Sequence, residues 1–111
     1  MQFTLLLWGD ADREAALPPE DRRAIVDRHI AFARELRATG AHVFGAPLDP
    51  ASSGRVVRDG LVTDGPFTET KEQIGGLYVI ECAGEAEALE WARKLPASPG
   101  LVVEVRANPE I

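Results

Sequence analysis

The side chains in this sequence that could do chemistry are two histidines, one cysteine and an aspartate held in a Gly-Pro turn. His29 follows Ile25 at i+4, and Phe32 and Leu36 complete the spacing i, i+4, i+7, i+11. That is one stripe of an amphipathic helix, so the imidazole is directed toward whatever the helix packs on. An unperturbed pKa of about 6.5 suits such a group for general acid or base work at neutral pH. An inward imidazole also needs a partner to fix its tautomer. Asp64, in Asp64-Gly65-Pro66-Phe67, is the first choice, and Asp10, after the first apolar run, is the alternative. Each residue has a plainer role as well. His29 can be a half-buried ring bonded to backbone or a carboxylate, and Asp64 can accept from the amides of its own turn.

The other reactive residues carry weaker signals. His42 stands just before a strand and is expected to face solvent. Cys82 ends a strand with Glu81 as its ionisable sequence neighbour, a poor setting for a nucleophile. His29, His42 and Cys82 fall in separate elements without metal-ligand spacing, so neither a metal site nor a cofactor is expected. Gly75-Gly76 precedes a strand and lacks the lysine of a phosphate loop. Ser52-Ser53 sit in a loop without a triad context.

The stretch VTDGPFTETKEQIGG, residues 62–76, is longer than a turn requires. Pro66 interrupts a sheet ladder, and six polar residues then precede the glycine pair. Such a segment can line a ligand cleft or dock on a second subunit. The candidate cleft residues are Asp64, Phe67, Glu69, Lys71 and Glu72, with Arg28 from the helix. Lys71 or Arg28 would hold an anionic group.

The elements that must position these residues can be read along the chain. QFTLLLW is a buried strand, and residues 9–18 read as a polar loop. A helix opens at Pro18-Pro19, with Glu20 and Asp21 at its positive end, and stops at Gly40. HVFGAP is a second strand. RVVRDGLVTDG is a hairpin about Asp59-Gly60, which suits a type I′ turn. LYVIEC is a strand, EAEALEWARKL a second helix and LVVEVR a closing strand. Without the hairpin the order is βαββαβ, a ferredoxin-like α+β pattern with two helices on one face of a mainly antiparallel sheet. The strands are apolar on both sides, so the second face requires cover. A homodimer of the dimeric α+β barrel type provides it.

At 111 residues the chain is one domain, and 45% hydrophobic with 27% charged residues is a globular balance. A net charge of −6 disfavours nucleic acid and anionic membranes as partners. The lone cysteine suits a reducing cytoplasm, and the apolar start is too short for a leader or a membrane span.

The segment VTDGPFTETKEQIGGLYVIEC resembles the signature of the DGPF branch of the YciI-like (YCII-related) family. LLLWGD, ELRATGAHVFGAPL, EALEWARKLP and VEVR resemble other parts of the same family, so the likeness runs nearly end to end. It implies a ferredoxin-like domain that dimerises through its sheets. It also implies a His–Asp pair in a cleft for those members proposed to be enzymes, and a setting beside extracytoplasmic-function sigma factors for DGPF members. RHIAFAREL, followed by GAPL, places His29 in the family's histidine context. Leu95-Pro96-Ala97 stands where the family's aspartate would be, so Asp64 is the remaining candidate for that role. Two functions follow. One is a binding or regulatory module with a dimeric cleft, which the incomplete catalytic set slightly favours. The other is a small enzyme in which His29 moves a proton on a small substrate, aromatic ones included, while Asp64 orients it.

Overall fold

The computed structural model describes residues 1–111. Strand β1, Gln2–Asp10, turns Phe3 and Leu5 into the core and leaves the intervening residues on the other face. Residues 11–15 are a short helix, α1 (Ala11–Ala15), where the sequence reads as loop. The cause is local: the Asp10 carboxylate accepts from the amides of Asp12 and Arg13 at 3.1 and 3.2 Å, a side-chain N-cap. Asp10 is therefore occupied with capping.

Helix α2 runs Pro19–Ala38 and buries Ile25, Phe32 and Leu36. β2 (His42–Pro47) leads into a 3-10 turn, then the hairpin β3 (Arg55–Arg58) and β4 (Leu61–Asp64). Asp59 and Gly60 take φ of 51° and 80°, as a type I′ turn requires. β5 spans Glu72–Glu81 and so takes in the end of the polar run and both glycines. α3 (Glu85–Arg93) and β6 (Val102–Ala107) complete the chain.

The four long-range strands form one antiparallel sheet in the order β2-β5-β1-β6, with β3-β4 as a separate two-stranded sheet. This is the ferredoxin-like arrangement read from the sequence, with the hairpin inserted between β2 and β5. The core lies between the sheet and the α2–α3 layer, with Leu5, Leu36 and Ile80 fully enclosed. Phe32 meets Tyr78 edge-on at 5.0 Å and Trp91 at 5.9 Å, tying both helices to β5.

The opposite sheet face has no helix over it. By alternation it carries Leu6, Phe44, Leu77, Val79 and Val102, with Phe44 56% and Val102 59% exposed. The chain exposes 7649 Å², about 1,600 Å² more than is usual for a monomer of its mass. Its radius of gyration of 15.2 Å likewise exceeds the roughly 13 Å of a compact chain of this length. No helix is long and apolar enough to cross a membrane.

Candidate functional site

A cavity of about 420 Å³ lies between α2 and the β2–β5 side of the sheet, within the usual range for small-ligand sites. Its helical wall is the stripe Val26, Ile30, Ala33 and Arg37, with His29 beside it. This stripe neighbours the buried one, and it explains why Val26 and Ile30 remain 56% and 50% exposed. The sheet wall includes three glycines, Gly45 on β2 and Gly75 and Gly76 on β5, together with Leu7 and Tyr78. Glu14 of α1 and Ser98 lie toward one end. His42 lines the cavity too, so it faces the cleft and not bulk solvent as its sequence position suggests.

Within the cavity wall His29 Nδ1 lies 2.8 Å from the Tyr78 hydroxyl, and the two rings are nearly parallel, 11° apart. Tyr78 points inward because it alternates with Ile80 and Cys82 on the core side of β5. Gly45 makes room for it: a Cβ there would stand 2.8 and 2.9 Å from two carbons of the Tyr78 ring. Burial holds the imidazole below its ordinary pKa of 6.5, and the charge of Arg28 adds to the effect. Burial also raises the Tyr78 hydroxyl above its usual value, partly offset by Arg37. Both groups are thus neutral at neutral pH. His29 Nε2 makes no protein hydrogen bond, yet the protein leaves no buried side-chain nitrogen or oxygen without a partner. Nε2 is therefore open to the cleft or to solvent. A phenol can donate or accept, so the pair has two states. With Tyr78 donating to Nδ1, Nε2 carries a proton to give. With Nδ1–H donating to the phenol oxygen, Nε2 presents a lone pair to an acid.

The partner of His29 is thus Tyr78 and not the aspartate expected from the sequence. Asp64 ends β4 on the separate hairpin, its side chain 87% exposed and paired to Arg55 at 3.2 Å. The reason is topological: the hairpin stands off the main sheet, and Asp64 is held by its register partner Arg55. Phe67 is 70% exposed with the Arg58 guanidinium 5.4 Å above its ring. Glu69, Lys71 and Glu72 are exposed and absent from the cavity wall. Arg28 lines a separate shallow cleft with Arg13, Asp21 and Pro99. Neither pair of candidates, His29 with Asp64 or His29 with Lys71, meets within this chain.

The polar run has a local explanation. The Gln73 amide donates to the carbonyls of Thr68 and Thr70 at 2.6 and 3.0 Å, and Thr70 Oγ1 donates to Glu72 O at 2.7 Å. The loop therefore satisfies its own backbone. From the loop itself, residues 62–76, what reaches the cavity is the glycine pair, and Leu77 and Tyr78 follow from the strand. Leu7 pairs with Gly76 and Trp8 with Ile74, which leaves Gly75 as the extra residue of a β-bulge. Its carbonyl turns to accept from the Leu48 amide at 3.0 Å.

Sequence reasoning missed Tyr78, Arg37 and Glu14. A signal existed for the first, because an inward tyrosine on a strand needs a partner for its hydroxyl. For Arg37 it was the stripe 26, 30, 33, 37, whose apolar members have no place in the core. Glu14 gave none, since α1 itself was not anticipated. No three His, Cys, Asp or Glu side chains converge on a point that could hold a metal ion.

An uncharacterized protein of Rhizobium meliloti (strain 1021) is 33% identical over 99 residues, covering 86% of this chain and 80% of the relative. A model of the YCII-related domain matches residues 1–109. With the ferredoxin-like sheet and nearly the whole length matched, the chain belongs to the YCII-related domain family.

Proposed function

We propose that this protein is a cytoplasmic, dimeric module that binds a small molecule in the cleft beside His29. Its setting is regulatory, alongside an extracytoplasmic-function sigma factor, in line with the resemblance of residues 62–82 to the DGPF branch. The observation that carries the binding role is the cavity of about 420 Å³ with a neutral His29–Tyr78 pair in its wall. Dimerisation is supported by the bare apolar sheet face and by an excess exposed surface of about 1,600 Å² per chain. Burying that much on each of two chains falls within the range of obligate homodimers. The single cysteine, with no partner for a disulfide, fits a reducing compartment.

A thermal-shift screen with small acids and phenols tests the binding role. Stabilisation that disappears in His29→Ala places the ligand at this cleft; stabilisation that survives it puts the ligand elsewhere and ends the reading. Light scattering tests the assembly. Phe44→Glu on the bare face should convert dimer to monomer, and a monomeric wild-type protein would refute the covered-sheet argument.

One observation favours a second reading, a small enzyme. When Nδ1–H donates to the Tyr78 oxygen, Nε2 of the neutral imidazole presents a lone pair that can remove a proton from a bound C–H or O–H acid. Deuterium incorporation into a bound candidate, followed by NMR and lost in His29→Gln, would establish it. Binding without any exchange would leave the module reading alone standing.

A further inference from the structure

The cavity is not chemically uniform along its length. Arg37 is the one lysine or arginine on its wall and Glu14 the one carboxylate. They stand at opposite ends. Glu14 is on α1, which follows Asp10, the register partner of Glu72, whereas Arg37 is in the last turn of α2, which leads to His42, the register partner of Ile80 toward the other end of β5. From Val26 to Arg37 the helix rises roughly 16 Å. The wall between carries apolar side chains on the helix and glycines beside apolar residues such as Leu7 on the sheet, with the His29–Tyr78 pair among them.

Arg37 makes no ion pair within the chain. Its charge is felt inside the cleft, since it opposes the effect of burial on the Tyr78 hydroxyl. The chain as a whole carries −6, so its general field repels anions, and an anion must be drawn in by a local cation. A guanidinium is well suited to this because it can grip a carboxylate through two parallel N–H donors.

Resting on the cleft-binding reading above, we infer that the ligand is a small carboxylic acid with an apolar body, its carboxylate gripped by Arg37 at the His42 end. The body lies along the glycine-backed wall and passes the His29–Tyr78 pair. Glu14 repels the carboxylate from the other end, so the molecule enters in one orientation.

The test uses matched pairs that differ only in charge: 3-phenylpropionate against 3-phenylpropionamide, and 4-hydroxyphenylacetate against its amide. Affinity is read by calorimetry and thermal shift at neutral pH and low salt. In the wild type each acid should bind about 10-fold or more tightly than its amide. Arg37→Gln should erase that preference. Arg34→Gln, which removes the same charge from the same helix but off the cavity wall, should preserve it. Equal binding of acid and amide by the wild type overturns the inference, as does a loss of preference shared by both variants. In those cases the cleft still binds small molecules. If neither member of either pair binds, the cleft-binding reading fails together with this one.

Discussion

Gly45→Ala is the sharpest test of how the site is built. The added Cβ would lie 2.8 Å and 2.9 Å from Cδ1 and Cε1 of Tyr78, where carbon atoms come to rest at about 3.5–4.0 Å. The ring must therefore retreat by roughly 0.7–1 Å. Its backbone cannot follow, because Gly45 and Tyr78 are register partners in the β2–β5 ladder. On the side away from the cavity its retreat is blocked by Phe32, which packs edge-on at 5.0 Å. Crowding of this kind costs about 1–3 kcal/mol. A ring displaced that far also loses its 2.8 Å bond to His29, worth about another 1 kcal/mol. Against this, Gly45 does not use a left-handed φ, so alanine stabilises by about 0.4–1 kcal/mol through the unfolded chain. The net loss is about 2 kcal/mol, a fall in Tm of roughly 8 °C at about 4 °C per kcal/mol. Denaturant unfolding of Gly45→Ala, alone and in a Tyr78→Ala background, measures it. Without the ring the substitution should be neutral or mildly stabilising. An equal loss in both backgrounds would show that Gly45 is required for some reason other than Tyr78, and the reasoning would fall.

Other expectations follow from the same geometry. Because burial lowers the pKa of His29 below 6.5, the folded protein binds fewer protons than the unfolded chain as pH drops below that value. Stability should therefore decline on acidification from about 6.5 down to the folded pKa; His29→Asn should remove that component, and parallel Tm curves for the two proteins between about pH 5 and 8 would contradict it. Asp64→Asn breaks an exposed pair with Arg55 and should change stability by less than about 1 kcal/mol. The same variant should leave the His29-dependent part of the pH curve intact, whereas an altered curve would restore Asp64 as its partner. Cys82 is buried, donates to Gly84 O at 3.4 Å, and has its thiol pKa pushed up by burial. It should react slowly with Ellman's reagent in the native protein and quickly in denaturant, and fast native labelling would show that this end of β5 opens readily.

The fold was legible because its signals are local and repeated. The helical stripe through Ile25, His29, Phe32 and Leu36, the alternation in LYVIEC and the Asp59-Gly60 turn each point to one element, and the order of elements leaves few topologies. The site was half legible. His29 stood out as a polar group in an apolar stripe, but its partner lies 49 residues away across a helix–sheet contact. No spacing rule links a helix to the fourth strand after it. The DGPF turn drew attention through its unusual composition, yet its aspartate is spent on Arg55 and its polar run on its own carbonyls. What that stretch contributes to the cleft is Gly75-Gly76, which matters for the side chains it lacks. Absent atoms leave no trace in a chemical reading of residue types.

The position of β1 has a consequence for how the chain is made. The earliest-made strand of this sheet, β1, is an inner one, and its neighbours are β5, which begins at Glu72, and β6, which begins at Val102. Throughout most of synthesis β1 thus has both edges unpaired and its apolar face open, the condition under which nascent chains associate wrongly. Only α2 is available early to shelter Phe3 and Leu5, and the hairpin inserted after β2 lengthens the wait for β5. Completion of the sheet accordingly waits for β5 and β6, the last two of its strands to be made.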